Sequence, residues 1–269
     1  MSNKPYFSTI IVVLVYKNIA VLKDFFRSLS MDSCKVIVVN SFYDEKSLKE
    51  CEDVARINDA IFLPIPNKGY GYGNNVGVKY ALDNYSFDFL VLSNSDIEIK
   101  KIELLKKFKC EDIIIAPKTI MRTGKHQNPD TPWELPFIYP MLSYALNKKS
   151  KLVYVLCHIC TRLSREVFRL YAFIIRKERY RIFSAHGSFV IFTKKSAAKM
   201  YPFFDEEMFL FNEEWYLALK ARKMNVPTYF IPQIEVFHYE GASSNNIVYS
   251  EQDKLSFNTL NYKRKNNLI

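Results

Sequence analysis

The sequence predicts an α/β domain on a mostly parallel sheet, and three patterns carry that prediction. From Ser8 to Ala116, short β-branched runs alternate with stretches of helical spacing. Runs such as Ser8 to Val15 (STIIVVLV) are continuously apolar, as strands covered on both faces must be. The pace of alternation suits right-handed βαβ units. The composition agrees. With 269 residues, 49% hydrophobic and 25% charged, 7 Gly and 11 Pro, the chain is neither disordered, collagen-like nor coiled-coil, and it can bury a sizeable core.

The elements follow in order. After the first strand, Val21, Leu22, Phe25, Phe26 and Leu29 recur at helical intervals. Lys35 to Asn40 (KVIVVN) reads as a second strand, Lys46 to Ile57 as a helix, and Ala60 to Ile65 as a third strand stopped by Pro66. A glycine-rich turn leads into a helix from about Gly73 to Asn84, followed by strands at Phe87 to Ser93 and Asp112 to Ala116. The rhythm breaks at Pro117, and prolines 129, 132, 136 and 140 mark an irregular passage. Regular signals return as a strand at Gly187 to Thr193, a helix at Asn212 to Lys223 and short strands at Thr228 to Ile231 and Glu235 to His238. A polar helix from roughly Ser250 closes the chain. One domain over 1–269, interrupted by a basic helical insertion at 133–184, is the expected organisation.

Charge is concentrated in that insertion. The formal net charge is +10, and residues 147–181, with ten Lys/Arg and two Glu, account for +8 of it. Five cysteines make no disulfide framework, and no leader pattern opens the chain, so a reducing, cytosolic setting is expected. No run of ~18 uncharged apolar residues predicts a spanning helix.

Ligands of open α/β sheets bind beyond the carboxyl ends of the strands, and three sequence features fall there. Asn67-Lys68-Gly69-Tyr70-Gly71-Tyr72-Gly73-Asn74-Asn75-Val76-Gly77 precedes a helix. Its glycines permit close backbone approach, and the helix start offers free N–H groups to phosphate. It is neither a dinucleotide fingerprint nor a P-loop, and by itself it also reads as a tight turn. Leu92 to Glu98 (LSNSDIE) ends an apolar strand, and period-two alternation puts Asn94, Asp96 and Glu98 on one side. A buried carboxylate there needs a partner or a metal, unless Ser95 or Asp96 simply caps a helix. In the third, Asn212 reads as an N-cap ahead of Glu213 and Glu214, beside the apolar Phe209-Leu210-Phe211. Acidic residues suit a helix start, and desolvation could also raise a glutamate into use as a general base.

Together these features resemble the family 2 glycosyltransferases over about Thr9 to Ser244, apart from the insertion. Ile11 to Asn18 is similar to the family's opening strand, with Tyr16 on its tyrosine. Val38-Val39-Asn40-Ser41 resembles the stretch whose aspartate meets the nucleotide base; Asn40 replaces that aspartate and carries no charge. The Asn67–Gly77 run matches an Asn-x-Gly…Asn-Asn-x-Gly element, Asn94-Ser95-Asp96 the D-x-D position, and Glu213-Glu214 the Glu-Asp pair. His238 to Ser243 is similar to a late His-x-x-Gly-x-Ser segment. The resemblance implies a GT-A, Rossmann-like fold binding a nucleotide-sugar through Tyr16, Asn40, Asn67, Gly69, Asn74, Asn75, Asn94 and Asp96. It also implies Mn²⁺ or Mg²⁺ at Asp96 and His238, and Glu214 as catalytic base of an inverting enzyme. A bacterial rhamnosyltransferase-like role in surface-polysaccharide synthesis follows, from dTDP-rhamnose or a UDP-sugar to a lipid-linked saccharide. The rival reading is a catalytically inactive nucleotide-sugar-binding or scaffold subunit. A nucleic-acid partner is not expected, since no such module is recognisable.

On a helix, Arg162, Arg165, Arg169 and Arg176 fall within about 60° of one another, with Leu156, Ile159, Leu163, Val167, Leu170 and Ile174 on a separate face. This pattern reads as a membrane-surface helix, and the basic face as attractive to anionic lipid and an acceptor diphosphate. It predicts peripheral association with the inner face of the cell membrane. Cys157-His158-Ile159-Cys160 has zinc-like spacing without a second pair, so packing is its expected role.

Overall fold

A computed structural model of the chain describes residues 4–17, 19–29, 31, 33–239 and 250–269. Unbroken apolar runs build the sheet: β1 (Tyr6–Val15), β2 (Cys34–Phe42), β3 (Ile61–Pro66) and β4 (Ser86–Asn94) all run parallel, with helices α1 (Ile19–Ser28), α2 (Glu45–Ile57) and α3 (Tyr70–Asn84) between them. Successive residues of β1, β2 and β4 bury alternately on the two faces. Ile10, Val12, Ile37, Val39, Leu90 and Leu92 meet α3 through Val78 and Ala81. Ile11, Val13, Val36, Val38 and Val91 meet α1 and α2 through Leu22, Phe25 and Val54. Two covered faces leave no polar side, which is why these strands show no alternation of polarity.

After β4 the chain makes the short strand β5 (Ile97–Lys101), then β6 (Ile114–Met121). The insertion forms α4 (Ile138–Lys148) and the long α5 (Lys151–Ile175), hinged at left-handed Lys149. β7 (Tyr180–Ile182), β8 (Phe189–Thr193), α6 (Lys194–Met200), α7 (Glu213–Lys223), β9 (Thr228–His238) and α8 (Glu251–Lys265) complete the order. The sheet runs β3-β2-β1-β4-β8-β6-β9-β5, with β7 on β9. Among the described residues six strands point one way, while β5, β7 and β8 oppose them.

Several elements differ from expectation. The helix after the glycine-rich turn starts at Tyr70, not Gly73, because Gly69 takes the N-cap position at φ 104°. The two short strands near the end are one strand, β9, with an irregularity opposite Pro117-Lys118. Asp112 precedes β6, which starts at Ile114 and runs to Met121. β5 was not foreseen, since IEIKK is short and ends in two lysines.

Helix α5 is turned the opposite way from an ordinary surface helix. Tyr154, Cys157 and Phe168 are its buried side chains. Tyr154 and Cys157 join Leu142, Ala145 and Leu146 of α4, Tyr216 and Leu219 of α7, and Phe257 and Leu260 of α8. Phe168 sits edge-on to Trp133, Tyr180 and Phe230. Leu163, Leu170 and Ile174, by contrast, lie on the solvent side. The expected arginine face is corrected as well. Arg165 is half-buried and lines a cavity, Arg169 donates to the His126 carbonyl at 2.6 Å and pairs with Glu166, and Arg162 is exposed. Arg176 caps the helix at φ 50°, so helical spacing no longer places its side chain.

Phe168→Ala should remove ~3–5 kcal/mol, the cost of emptying a filled aromatic site. Leu163→Ala, on the opposite face, should change stability by less than about 0.5 kcal/mol. Urea denaturation of both variants checks the orientation of α5.

Candidate active site

Two cavities meet beyond the carboxyl ends of β1 and β4. The larger, ≈ 540 Å³, is lined by Tyr16, Tyr70, Asn94, Asp96, Gly187 and His238, among others. The smaller, ≈ 320 Å³, lies under the insertion and is lined by Asp130, Tyr154, His158, Thr161, Arg165, Trp215 and Asp253, among others. Glu214, Asn212 and His186 line both.

Glu214 comes from the first turn of α7, where free N–H groups favour a carboxylate. Its Oε1 accepts from the Gly187 N–H at 3.3 Å. A Cβ at Gly187 would sit 2.9 Å from that oxygen and push the carboxylate away from the N–H. Asn212 occupies the N-cap position, but its φ of 66° is left-handed and its side chain donates to Asp253 of α8 at 2.9 Å instead of capping. Phe211 before it is also left-handed, at φ 75°. For a bulky side chain this is a strained conformation of order 1–3 kcal/mol, and Leu210 and Phe211 line the larger cavity.

Burial dominates the electrostatics. It pushes the Glu214 carboxyl well above its ordinary value, with the neighbouring Asp130 charge adding to the effect. Glu213 is raised by burial and by Glu214, and its Oε1 has no hydrogen-bond partner. Asp130 is raised by burial, while Arg165 and the Thr131 hydroxyl, 3.0 Å away, oppose the shift. His186 is driven down to about 3 by burial, then by His238 and Arg165, so it is a neutral ring at physiological pH.

Asn94 ends β4, Ser95 and Asp96 make a turn, and β5 begins at Ile97. The expected alternation of Asn94, Asp96 and Glu98 along one strand is therefore corrected: Glu98 lies on β5, held by Lys100 and the Tyr239 hydroxyl. Neither Ser95 nor Asp96 caps a helix. The pairing of Ile97 with His238 across β5 and β9 sets the histidine beside Asp96, Nε2 to Oδ1 at 3.1 Å. His238 Nδ1 meets Gln127 Oε1 at 2.7 Å. A glutamine oxygen only accepts, so Nδ1 donates to it and Nε2 faces the Asp96 carboxylate. A carboxylate oxygen and an imidazole nitrogen this close suit a divalent ion, and Asp96 and His238 would hold one, although the described residues contain no cluster of three or more ligating side chains.

The remaining predicted residues divide. Tyr16 lines the larger cavity and meets Tyr43 edge-on, with Lys17 over both rings. Asn40 is buried at the end of β2, beside the Cys51 thiol, with its Oδ1 unpaired, and does not line the cavity. Asn67 accepts from the Gly69 N–H at 3.3 Å. Gly69 supports the Phe209 carbonyl so closely that a Cβ would lie 2.2 Å from it. Asn74 and Asn75 tie the fold and line neither cavity. Asn74 donates to the Tyr70 carbonyl at 3.0 Å. Asn75 accepts from the Phe203 and Phe204 N–H groups and donates to the Phe204 carbonyl and Glu206. Glu240 to Ser243 of the late segment lie outside the described residues. Sequence reading missed Tyr70, Gln127 and Asp130. Tyr70 lay inside the glycine-rich run; the other two sit in the irregular passage, where no periodicity orients a side chain.

The fold is that of the GT-A glycosyltransferases. GalNAc-T7, solved with UDP, GalNAc and Mn²⁺, aligns at a TM-score of 0.59 and 11% identity over 89% of this chain and 45% of that one. S. aureus TarS 1–349 in complex with UDP-GlcNAc gives 0.54 at 14% identity, over 94% and 65% respectively. The chain thus spans less than half of the first and just under two thirds of the second. A curated relative, the low-salt glycan biosynthesis hexosyltransferase Agl10 of Haloferax volcanii, is 23% identical over 253 residues, 92% of this chain and 72% of the relative. No family model matches the chain. Fold and relative together support a glycosyltransferase.

The pKa shifts set a pH dependence of stability. A carboxyl raised in the folded state binds its proton more tightly there than in the unfolded chain. Stability is therefore lost as pH rises from the ordinary 4.5 through the raised value. Neutral His186 acts oppositely, removing stability as pH falls below 6.5. Thermal melts should show Glu213→Gln gaining on the wild type as pH rises from 4.5 through about 8; parallel curves would mean that Glu213 titrates normally.

Proposed function

We propose that this chain is an inverting, family 2-like glycosyltransferase that moves a sugar from a nucleotide-diphosphate donor to a hydroxyl of a lipid-linked saccharide. The observation that carries the reading is the place of Glu214, at the junction of the two cavities. With the donor in the larger cavity and the acceptor in the smaller, one carboxylate reaches the acceptor hydroxyl and the anomeric carbon between them. Its raised pKa brings it toward the range in which a general base works best at neutral pH.

In that arrangement Glu214 takes the acceptor proton as the acceptor oxygen attacks the anomeric carbon. The bond from that carbon to the diphosphate breaks, its electron pair leaves on phosphate oxygen, and configuration inverts. Asp96 and His238 would hold Mn²⁺ or Mg²⁺, which offsets the charge on the departing diphosphate. Gln127 orients the His238 ring, and Leu210 and Phe211 set an apolar wall in the donor cavity that the base also lines. Tyr16 flanks the nucleotide. The UDP and UDP-GlcNAc held by the structural neighbours favour a UDP-sugar over dTDP-rhamnose. A lipid-linked acceptor places the protein at the inner, anionic face of a cell membrane, and the curated relative's glycan role fits synthesis of a surface glycan.

Glu214→Gln should keep UDP-sugar affinity and lose transfer by ~10²–10⁴-fold, read by calorimetry and by product formation. Asp96→Asn should weaken Mn²⁺-dependent UDP binding with little change in melting temperature. Equal titrations for mutant and wild type would remove Asp96 from the metal site. Donor hydrolysis without acceptor separates an enzyme from an inactive scaffold, which releases no free sugar.

A further inference from the structure

The outward face of α5 has no part in the site described above, yet it is apolar over nearly the whole helix. Leu152, Ile159, Leu163, Val167, Leu170 and Ile174 are each 45–72% exposed, and at 1.5 Å per residue they extend over about 33 Å. Soluble monomers rarely leave so continuous an apolar strip in water. The opposite side of the helix is buried through Tyr154, Cys157 and Phe168, so the strip cannot be turned inward by rotating α5.

Cations frame the strip. Lys148, Lys149 and Lys151 stand exposed at its start, Arg176 and Lys177 at its end, and Arg162 along its flank. The two acids of residues 147–181 are both paired, Glu166 with Arg169 and Glu178 with Lys107. A second copy laid antiparallel on this face would bring lysines against Arg176 and Lys177, and like charges would repel. A surface that is negative at its edge and apolar beneath satisfies both features.

We infer that the outward face of α5 lies in the headgroup–acyl boundary of an anionic phospholipid bilayer, apolar side chains toward the acyl chains and terminal cations on the phosphates. This deepens the reading of a lipid-linked acceptor and rests on it for its purpose. The inward face of the same helix supplies Tyr154, Thr161 and Arg165 to the smaller cavity, so a membrane-anchored saccharide would enter beside the base. The helix lies on the membrane and does not cross it: among the described residues no helix is long and apolar enough to span.

The test is flotation of the whole protein with vesicles of phosphatidylcholine alone or mixed with phosphatidylglycerol. The wild type should float with the anionic vesicles, less with the neutral ones, and less in high salt. Leu163→Glu with Leu170→Glu should reduce vesicle binding by roughly 10-fold or more, with circular dichroism and melting temperature unchanged because both side chains already face water. UDP binding in Mn²⁺, measured on the same samples, should not change. A wild type that stays unbound, or a double variant that floats equally well, overturns the inference. So does light scattering that shows a wild-type dimer split by the same substitutions without any flotation. Flotation with no UDP binding would instead defeat the functional reading and leave the membrane face standing.

Discussion

Two adjacent glutamates at the start of one helix, Glu213 buried and Glu214 half-buried between two cavities, are the constraint around which this molecule is arranged. Placing Glu213 and Glu214 out of water is costly, and local devices at this site offset part of that cost. The start of α7 supplies a favourable dipole, Gly187 supplies an N–H and the space to approach it, and raised pKa values lower the charge actually buried. The surroundings then lock the pair in place. Tyr70 donates to the Gly187 carbonyl at 2.8 Å, the Tyr70 N–H holds the Phe209 carbonyl at 2.9 Å, and Asn212 ties the helix start to α8. Left-handed Phe211 and Asn212 persist because so many contacts determine them.

The insertion serves both the cavity and the surface. Its inward side lines the smaller cavity, where Arg165 opposes the burial-raised pKa of Asp130 and the Asp130 charge raises that of Glu214. Its outward side is apolar and framed by cations. A helix that packed its leucines against the domain would have to turn the side chains that line the cavity outward. Exposing the apolar side therefore follows from building a polar cavity underneath.

The metal-facing pair shows how a sheet makes a site from distant residues. Asp96 and His238 are 142 residues apart in sequence and adjacent only because β5 folds back on β9. Gln127, from the irregular passage after β6, then sets which nitrogen of His238 faces the carboxylate. Each of the three is unremarkable in its own segment.

What the sequence determined by itself was local: unbroken apolar runs set the central strands, helical spacing set α1, α2 and α7, and the glycine-rich run around Gly69 kept room for close approach. Motif order also marked Glu214, Asp96 and His238 for one end of the sheet. Only the tertiary structure decided which way each side chain faced. Asn74 and Asn75 belong to a ligand-like motif yet are bonded within the fold, Asn74 to the Tyr70 carbonyl of its own helix and Asn75 to the Phe203–Phe204 backbone. The basic and apolar faces of α5 were legible from 100° geometry, but not which of them met the domain. Periodicity fixes the angle between two faces of a helix; only the shape and polarity of the partner surface choose between them. Here the cavity claimed the polar side, and the leucines were left to the outside.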